Sequence, residues 1–155
     1  MCIRDSPQSY QSKTGLGTGR DMHQMFAVGK SANGKRGNKA FGIGKNKIKK
    51  TEYGIYSKTE KIKFYEPIVN KSTAARAFLY IMQGYPGCLG NDRFPLGTEK
   101  WVIKHGGKDN VGLWEKHRNL SLHILQGNRN PFIDFPKLVF LTDFEDSWRD
   151  MMLEW

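Results

Sequence analysis

At 155 residues the chain is long enough for one domain with a modest core. A hydrophobic share of 38% and a mean hydropathy of -0.62 are polar for a globular protein, yet 12% aromatics argue against wholesale disorder, and no apolar run approaches the roughly 20 residues that a membrane-spanning helix needs. The net charge of +10 is unevenly placed: residues 1–63 hold 14 Lys/Arg against 4 Asp/Glu, and residues 64–155 hold 11 against 11. Such a one-sided field suits a polyanion, either nucleic acid or an anionic membrane surface, and its bland alternative is a solvated basic tail.

Residues 7–22, rich in Ser, Gln, Gly and Thr without periodicity, read as a loop. Met22 to Val28 suits a strand end or a short turn. The stretch SANGKRGNKAFG, residues 31–42, taken alone is a solvated basic turn. Alternation through TEYGIYSKTEKIKFYEP predicts an irregular hairpin of short, exposed strands.

The second half has stronger signals. In KSTAARAFLYIMQGYPG a hydroxyl cap, a run of helix formers and the Gly84/Pro86 stop predict a helix over 72–83. Leu113, His117, Leu120 and Ile124 recur at helical spacing, which predicts an amphipathic helix at about 110–126 with those four toward the core. NPFIDFP then marks a turn, PKLVFLT a short apolar strand or buried segment, and DSWRDMMLEW a terminal helix.

Candidate chemistry is sparse on residue types alone. Cys2 and Cys88 cannot build a disulfide framework. His117 is expected in the core and His105, in KHGGK, in a surface loop. No H-x-x-x-H, Cys/His cluster or G-x-S-x-G occurs, and GLGTG at 15–19 lacks the Lys-Ser/Thr and preceding strand of a phosphate loop. The residues alone stop at a basic, mixed α/β domain that binds polyanions.

Three blocks go further. QGNRNPFIDFP at 126–136, preceded by WEKHRN at 114–119, FYEPIVNKSTAARAFLYIM at 64–82, and DMHQMFAVGKSANGKRGNKAFG at 21–42 resemble, in order, the endonuclease I family of non-specific nucleases within the His-Me finger (ββα-metal) group. The resemblance implies an α+β fold with a ββα-metal core and additional helices. It also implies an activity, hydrolysis of phosphodiester bonds in DNA, with RNA as a second substrate class.

By the same resemblance, Asn33 binds the catalytic Mg²⁺ or another divalent cation, and Lys35 and Arg36 steer or clamp phosphate. His23, Glu115, Arg118, Gln126 and Asn130 fall on signature positions and are expected in supporting hydrogen-bond networks. Ala27 stands where the family usually has Pro, and Phe135 where it often has His.

Family members carry a metal-binding Glu and a general-base His in a Glu-His-x-x-Pro-Gln-Ser sequence. PQSY at 7–10 matches its tail, which puts Ile3 and Arg4 at those two positions. Ile has no lone pair and Arg stays protonated, so neither can do the chemistry. MCIRDS resembles a translated sequencing-adapter peptide, so residues 1–6 are expected to be a non-native leader and 7–155 a single domain incomplete at its N-terminus, with the first part of the finger missing. As written the chain is expected to be inactive, and the alternative reading is a non-catalytic basic nucleic-acid-binding module. The family further implies a secreted or periplasmic location; a monomer with no membrane association is expected. A basic membrane-surface protein is disfavoured, since the lysines from Lys45 to Lys63 alternate with Gly, Tyr and Thr rather than lining a helix.

Overall fold

The computed structural model describes residues 2–4, 21–58, 63–85, 96–142 and 144, with side chains omitted at 2–4 and 96. Residues 7–20 of the loop expected over 7–22, the glycine cluster at 15–19 and the terminal helix expected over 146–155 lie outside these residues.

Strand β1 (Cys2–Arg4) pairs antiparallel with β2 (Met25–Ala27), Ile3 opposite Phe26 and Arg4 opposite Met25. A 3-10 turn, Met22–Gln24, feeds β2, and helix α1 (Lys30–Arg36) follows it. The order is strand, strand, helix. Residues 31–36 are therefore helical, where local composition alone suggested a turn. Asn and Gly disfavour helix, so packing of α1 overrides propensity here.

A second sheet runs β3 (Ala40–Phe41), β6 (Lys63–Pro67), β5 (Gly54–Lys58), β4 (Asn46–Lys50). Strands β5 and β6 form the expected hairpin, with Tyr56 opposite Tyr65, and β3 joins β6 in parallel. Only β4 is exposed along its whole length; Phe64, Tyr65 and Glu66 of β6 are buried. Burial follows position in the sheet, because β6 is an inner strand and β4 an edge whose Lys47, Lys49 and Lys50 discourage further strand pairing.

Helix α2 (Lys71–Gly84) extends the expected span by one residue at each end. Its residues Ala75 through Met82 are all buried, the pattern of a helix surrounded on most sides. It packs on α3 (Leu96–Gly106), a helix that the sequence reading missed. Phe41 of β3 stacks on Trp101 of α3, ring centroids 5.2 Å apart, and sets its edge on Phe78 of α2. Thr98 Oγ1 donates to Phe41 O at 2.5 Å, and a Cβ on Gly42 (φ +140°) would lie 2.8 Å from Gly97 O, so sheet and helix meet backbone to backbone.

Helix α4 (Leu113–Gln126) ends at Gly127 (φ 84°), whose N–H caps His123 O. A short helix α5 (Pro131–Asp134) and a 3-10 helix (Pro136–Leu141) follow, in place of the expected turn and of the short apolar strand or buried segment; within the 3-10 helix Val139 is buried while Phe140 and Leu141 are exposed. Asn130 caps α5, its side chain accepting from Phe132 N–H at 3.0 Å with Pro131 in the first turn.

Two expectations are corrected. The face of α4 expected in the core is exposed: Leu113 84%, Leu120 48% and Ile124 76%, with His117 exposed between them. The buried face instead carries Glu115, Asn119 and Leu122, with Arg118 and Gln126 half-buried, because those polar groups have partners inside. His105, expected in a surface loop, is only 5% exposed in the last turn of α3, where its ring packs on Trp101.

Candidate active site

Asp21, just ahead of the first turn, is the centre of a buried polar cluster. Its carboxylate accepts from Tyr80 OH (2.6 Å), Tyr85 OH (2.7 Å), His23 N–H (2.8 Å), Gln126 Nε2 (2.9 Å) and Asn128 Nδ2 (3.2 Å). Burial alone would raise its pKa, but the hydrogen bonds from Tyr80, Tyr85, Gln126 and His23 outweigh burial and hold the carboxyl below its usual range. Burial, followed by the Asp21 hydrogen bond, pushes the Tyr80 phenol well above its usual value. The cluster is thus a carboxylate surrounded by donors.

The same cluster fixes the turn before β2. Gln126 Oε1 accepts from Met22 N–H at 3.1 Å. Arg118 donates through one terminal nitrogen to Met22 O and, at 2.7 Å, to Met25 O, while its guanidinium lies 4.6 Å from the Phe26 ring centroid. His23, 1% exposed, packs on Tyr80 and places Nε2 3.2 Å from Asn128 O. Burial lowers its pKa, so the ring is held neutral and away from solvent. A ring so enclosed cannot meet a water at a surface phosphate.

A second network supports α4 from the other side. Arg76 and Glu115, both buried, form a bidentate pair at 2.8 and 2.6 Å; Thr73 OH adds 3.1 Å to the carboxylate, and Arg76 also donates to Gly106 O and Lys108 O. Asn130 Nδ2 donates to Arg76 O at 3.1 Å, and Asn119 exchanges hydrogen bonds with the Asn130 backbone. Arg129 clamps Asp134 at 2.8 and 2.6 Å. The arginine first, then Asn119, keep the Asp134 carboxyl below its usual range, against the smaller pull of burial. Phe135, at the end of α5, is 67% exposed.

These networks set the strand–strand–helix unit on the rest of the protein. Within it, Asn33 lies in the middle of α1, half-buried, and its side-chain amide makes no hydrogen bond among the described residues. Lys35 is exposed on the same helix. Arg36 is buried, its guanidinium 4.2 Å from the Phe41 ring centroid, so it fastens α1 to the core instead of reaching outward. Register places positions 3 and 4 beside Phe26 and Met25, one strand from the chain that enters α1.

An amide oxygen is a hard donor suited to Mg²⁺, and the Asn33 amide has no hydrogen-bond partner among the described residues. Among the described residues no group of three or more His, Cys, Asp or Glu could hold a metal ion.

The sequence reading found Gln126, Glu115, Arg118 and Asn130, but it missed Asp21, Tyr80, Tyr85, Asn119 and Asn128. Asp21 opens the DMHQMFAVGK block that carries the resemblance but was assigned no role; the two tyrosines read as ordinary helix and loop aromatics.

The Endonuclease I family profile matches residues 5–137. An extracellular ribonuclease of Bacillus amyloliquefaciens is 30% identical over 138 residues, covering 80% of this chain and 46% of that protein. The chain thus spans about half the length of this curated relative. No solved structure matches the chain. Among the described residues, no helix is long and apolar enough to cross a membrane.

Proposed function

The chain belongs to the endonuclease I family, and from that premise we infer that it is the nucleic-acid-cleaving part of a secreted, divalent-metal-dependent nuclease acting on phosphodiester bonds of DNA and RNA. The observation that supports this most is the unclaimed amide of Asn33 on α1, directly after the paired strands β1 and β2. The printed name of the Bacillus relative supports RNA as a substrate and secretion as the destination.

Asn33 is the protein ligand for Mg²⁺, with a carboxylate required at position 3 and an imidazole at position 4. When bound, the cation would stabilise charge on the phosphate and the leaving oxygen. Lys35, exposed two residues on, holds the phosphate; the exposed lysines of β4 add sequence-independent attraction for the backbone. The imidazole takes the proton of the attacking water. With Ile3 and Arg4 in place, that proton has no acceptor, and the chain acts as a basic nucleic-acid-binding module.

Plasmid nicking and RNA breakdown, each with and without Mg²⁺, test this in the chain as written and in Ile3→Glu/Arg4→His. The expected result is binding without cleavage in the first and Mg²⁺-dependent cleavage in the second. Failure of the doubly substituted, folded chain to cleave either polymer contradicts the assignment of positions 3 and 4.

A further inference from the structure

The first two turns of α4 leave an apolar surface uncovered. Leu113, His117 and Leu120 share one side of the helix with Trp114 beside them, and all four are exposed, Leu113 by 84% and Trp114 by 63%. Large side chains grouped in this way on a surface mark a contact with something else. The one carboxylate of α4, Glu115, is turned inward onto Arg76, so the outer side of these turns carries Lys116 and no acid.

Residues 146–155, DSWRDMMLEW, are complementary to that surface in spacing, length and charge. At helical spacing Trp148, Met151, Met152 and Trp155 fall on one side, while Asp146, Asp150, Leu153 and Glu154 fall on the other. Trp155 lies seven positions after Trp148, as Leu120 does after Leu113, which is about 10 Å of helix in each case. Residues 143–155 hold five Asp/Glu against one Lys/Arg, whereas residues 1–142 hold 24 Lys/Arg against 10 Asp/Glu, so the body of the protein attracts this segment. The chain also leaves the described fold next to the entry of α4. Lys137 Nζ lies 3.6 Å from Asp109 Oδ2, a Cβ on Gly107 would meet the Phe140 ring at 2.5 Å, and Phe144 is buried in the core.

We propose that residues 146–155 form a helix that docks on the first two turns of α4 in the same chain, with Trp148, Met151, Met152 and Trp155 inward and the carboxylates toward solvent. A segment that starts two residues after the buried Phe144 is presented to α4 at a concentration on the order of millimolar, which lets a contact of this size close within one chain. A second copy is the weaker occupant, because two bodies of the same strong positive charge repel. Ile124 and Leu125, a turn further along α4, lie beyond the contact. The docking uses none of the residues assigned to the metal or the phosphate and stands apart from the nuclease reading.

Disulfide trapping in the full chain, with Cys2 and Cys88 changed to Ser, tests this. His117 and Met151 stand near the middle of the two apolar stripes, so they face each other whichever way the segment runs. His117→Cys with Met151→Cys is expected to close an intramolecular disulfide under mild oxidation, because docking brings the two Cβ atoms within bonding reach. His117→Cys with Leu153→Cys, on the far side of the segment, should close at least about tenfold more slowly. Equal rates for the two pairs, no cross-link, or disulfide-linked dimers in place of cross-linked monomers would overturn the docking, the last in favour of a second copy. In the chain with its cysteines intact, Trp148→Asp should lower the urea midpoint and move the amide signals of Leu113 and Leu120, and Leu153→Asp should do neither. Unmoved Leu113 and Leu120 signals in Trp148→Asp would also overturn it.

Discussion

Gln126 Nε2 donates to Asp21 Oδ1 at 2.9 Å across 105 residues of sequence. That bond closes the end of α4 onto the turn that leads into β2 and α1, so a pair outside the proposed ligand set anchors the segment that carries the candidate site. Asp21→Ala would leave Tyr80, Tyr85, Gln126 and Asn128 donors without their acceptor. The expected cost is about 3 kcal/mol or more, at roughly 1–3 kcal/mol for each unsatisfied buried group. A urea titration reads it as a fall in midpoint with little change in slope.

Acid stability follows from the same carboxylate. The pKa values of Asp21 and Asp134 are both below the usual 3.8 in the folded state. A depressed carboxyl contributes stability that is present above its unfolded value and lost as pH falls from there through the folded value. Unfolding free energy should therefore be flat in this contribution above pH 5 or so and decline below about pH 4. Asp21→Asn should flatten that decline. A decline of unchanged steepness in the variant would remove Asp21 as its source.

The Arg76–Glu115 pair should show the asymmetry of buried ions. Both residues are under 5% exposed. Arg76→Met or Glu115→Leu alone leaves one charge buried without its partner, at about 3–5 kcal/mol, while the double variant should recover most of that loss. A double-mutant cycle on denaturation midpoints measures the coupling. Additive losses would mean that the pair is not coupled.

The orientation of α4 makes a contrast between neighbours on one helix. Ile124→Lys, on the exposed apolar stripe, should change stability by no more than about 0.5 kcal/mol. Leu122→Ala, on the buried face, should cost about 2 kcal/mol or more. The reverse order would put the 113/117/120/124 face back in a core.

Sequence patterns located α2 well, because a hydroxyl-rich start, uninterrupted helix formers and a Gly/Pro stop all agree there. They located α4 but turned it the wrong way. Hydrophobic periodicity assumes that apolar side chains choose the buried face, whereas here Glu115, Asn119 and Gln126 have specific partners and draw the helix in. Helix α3 was invisible because its start follows a Gly/Pro-rich stretch and its end, KHGG, looks like a loop. The signature residues of the family were legible only through resemblance. Asp21 with Tyr80 and Tyr85 was not, since nothing local announces that an aspartate will meet two tyrosines from the end of a helix about 60 residues further along the chain.

The most direct measurement of the central claim is paramagnetic broadening by Mn²⁺ in the Ile3→Glu/Arg4→His chain. The Asn33 side-chain amide signals should broaden first, Asn33→Ala should abolish broadening elsewhere on α1, and excess Mg²⁺ should reverse it. Sharp Asn33 signals at Mn²⁺ concentrations that support cleavage would contradict the assignment of Asn33 as the metal ligand.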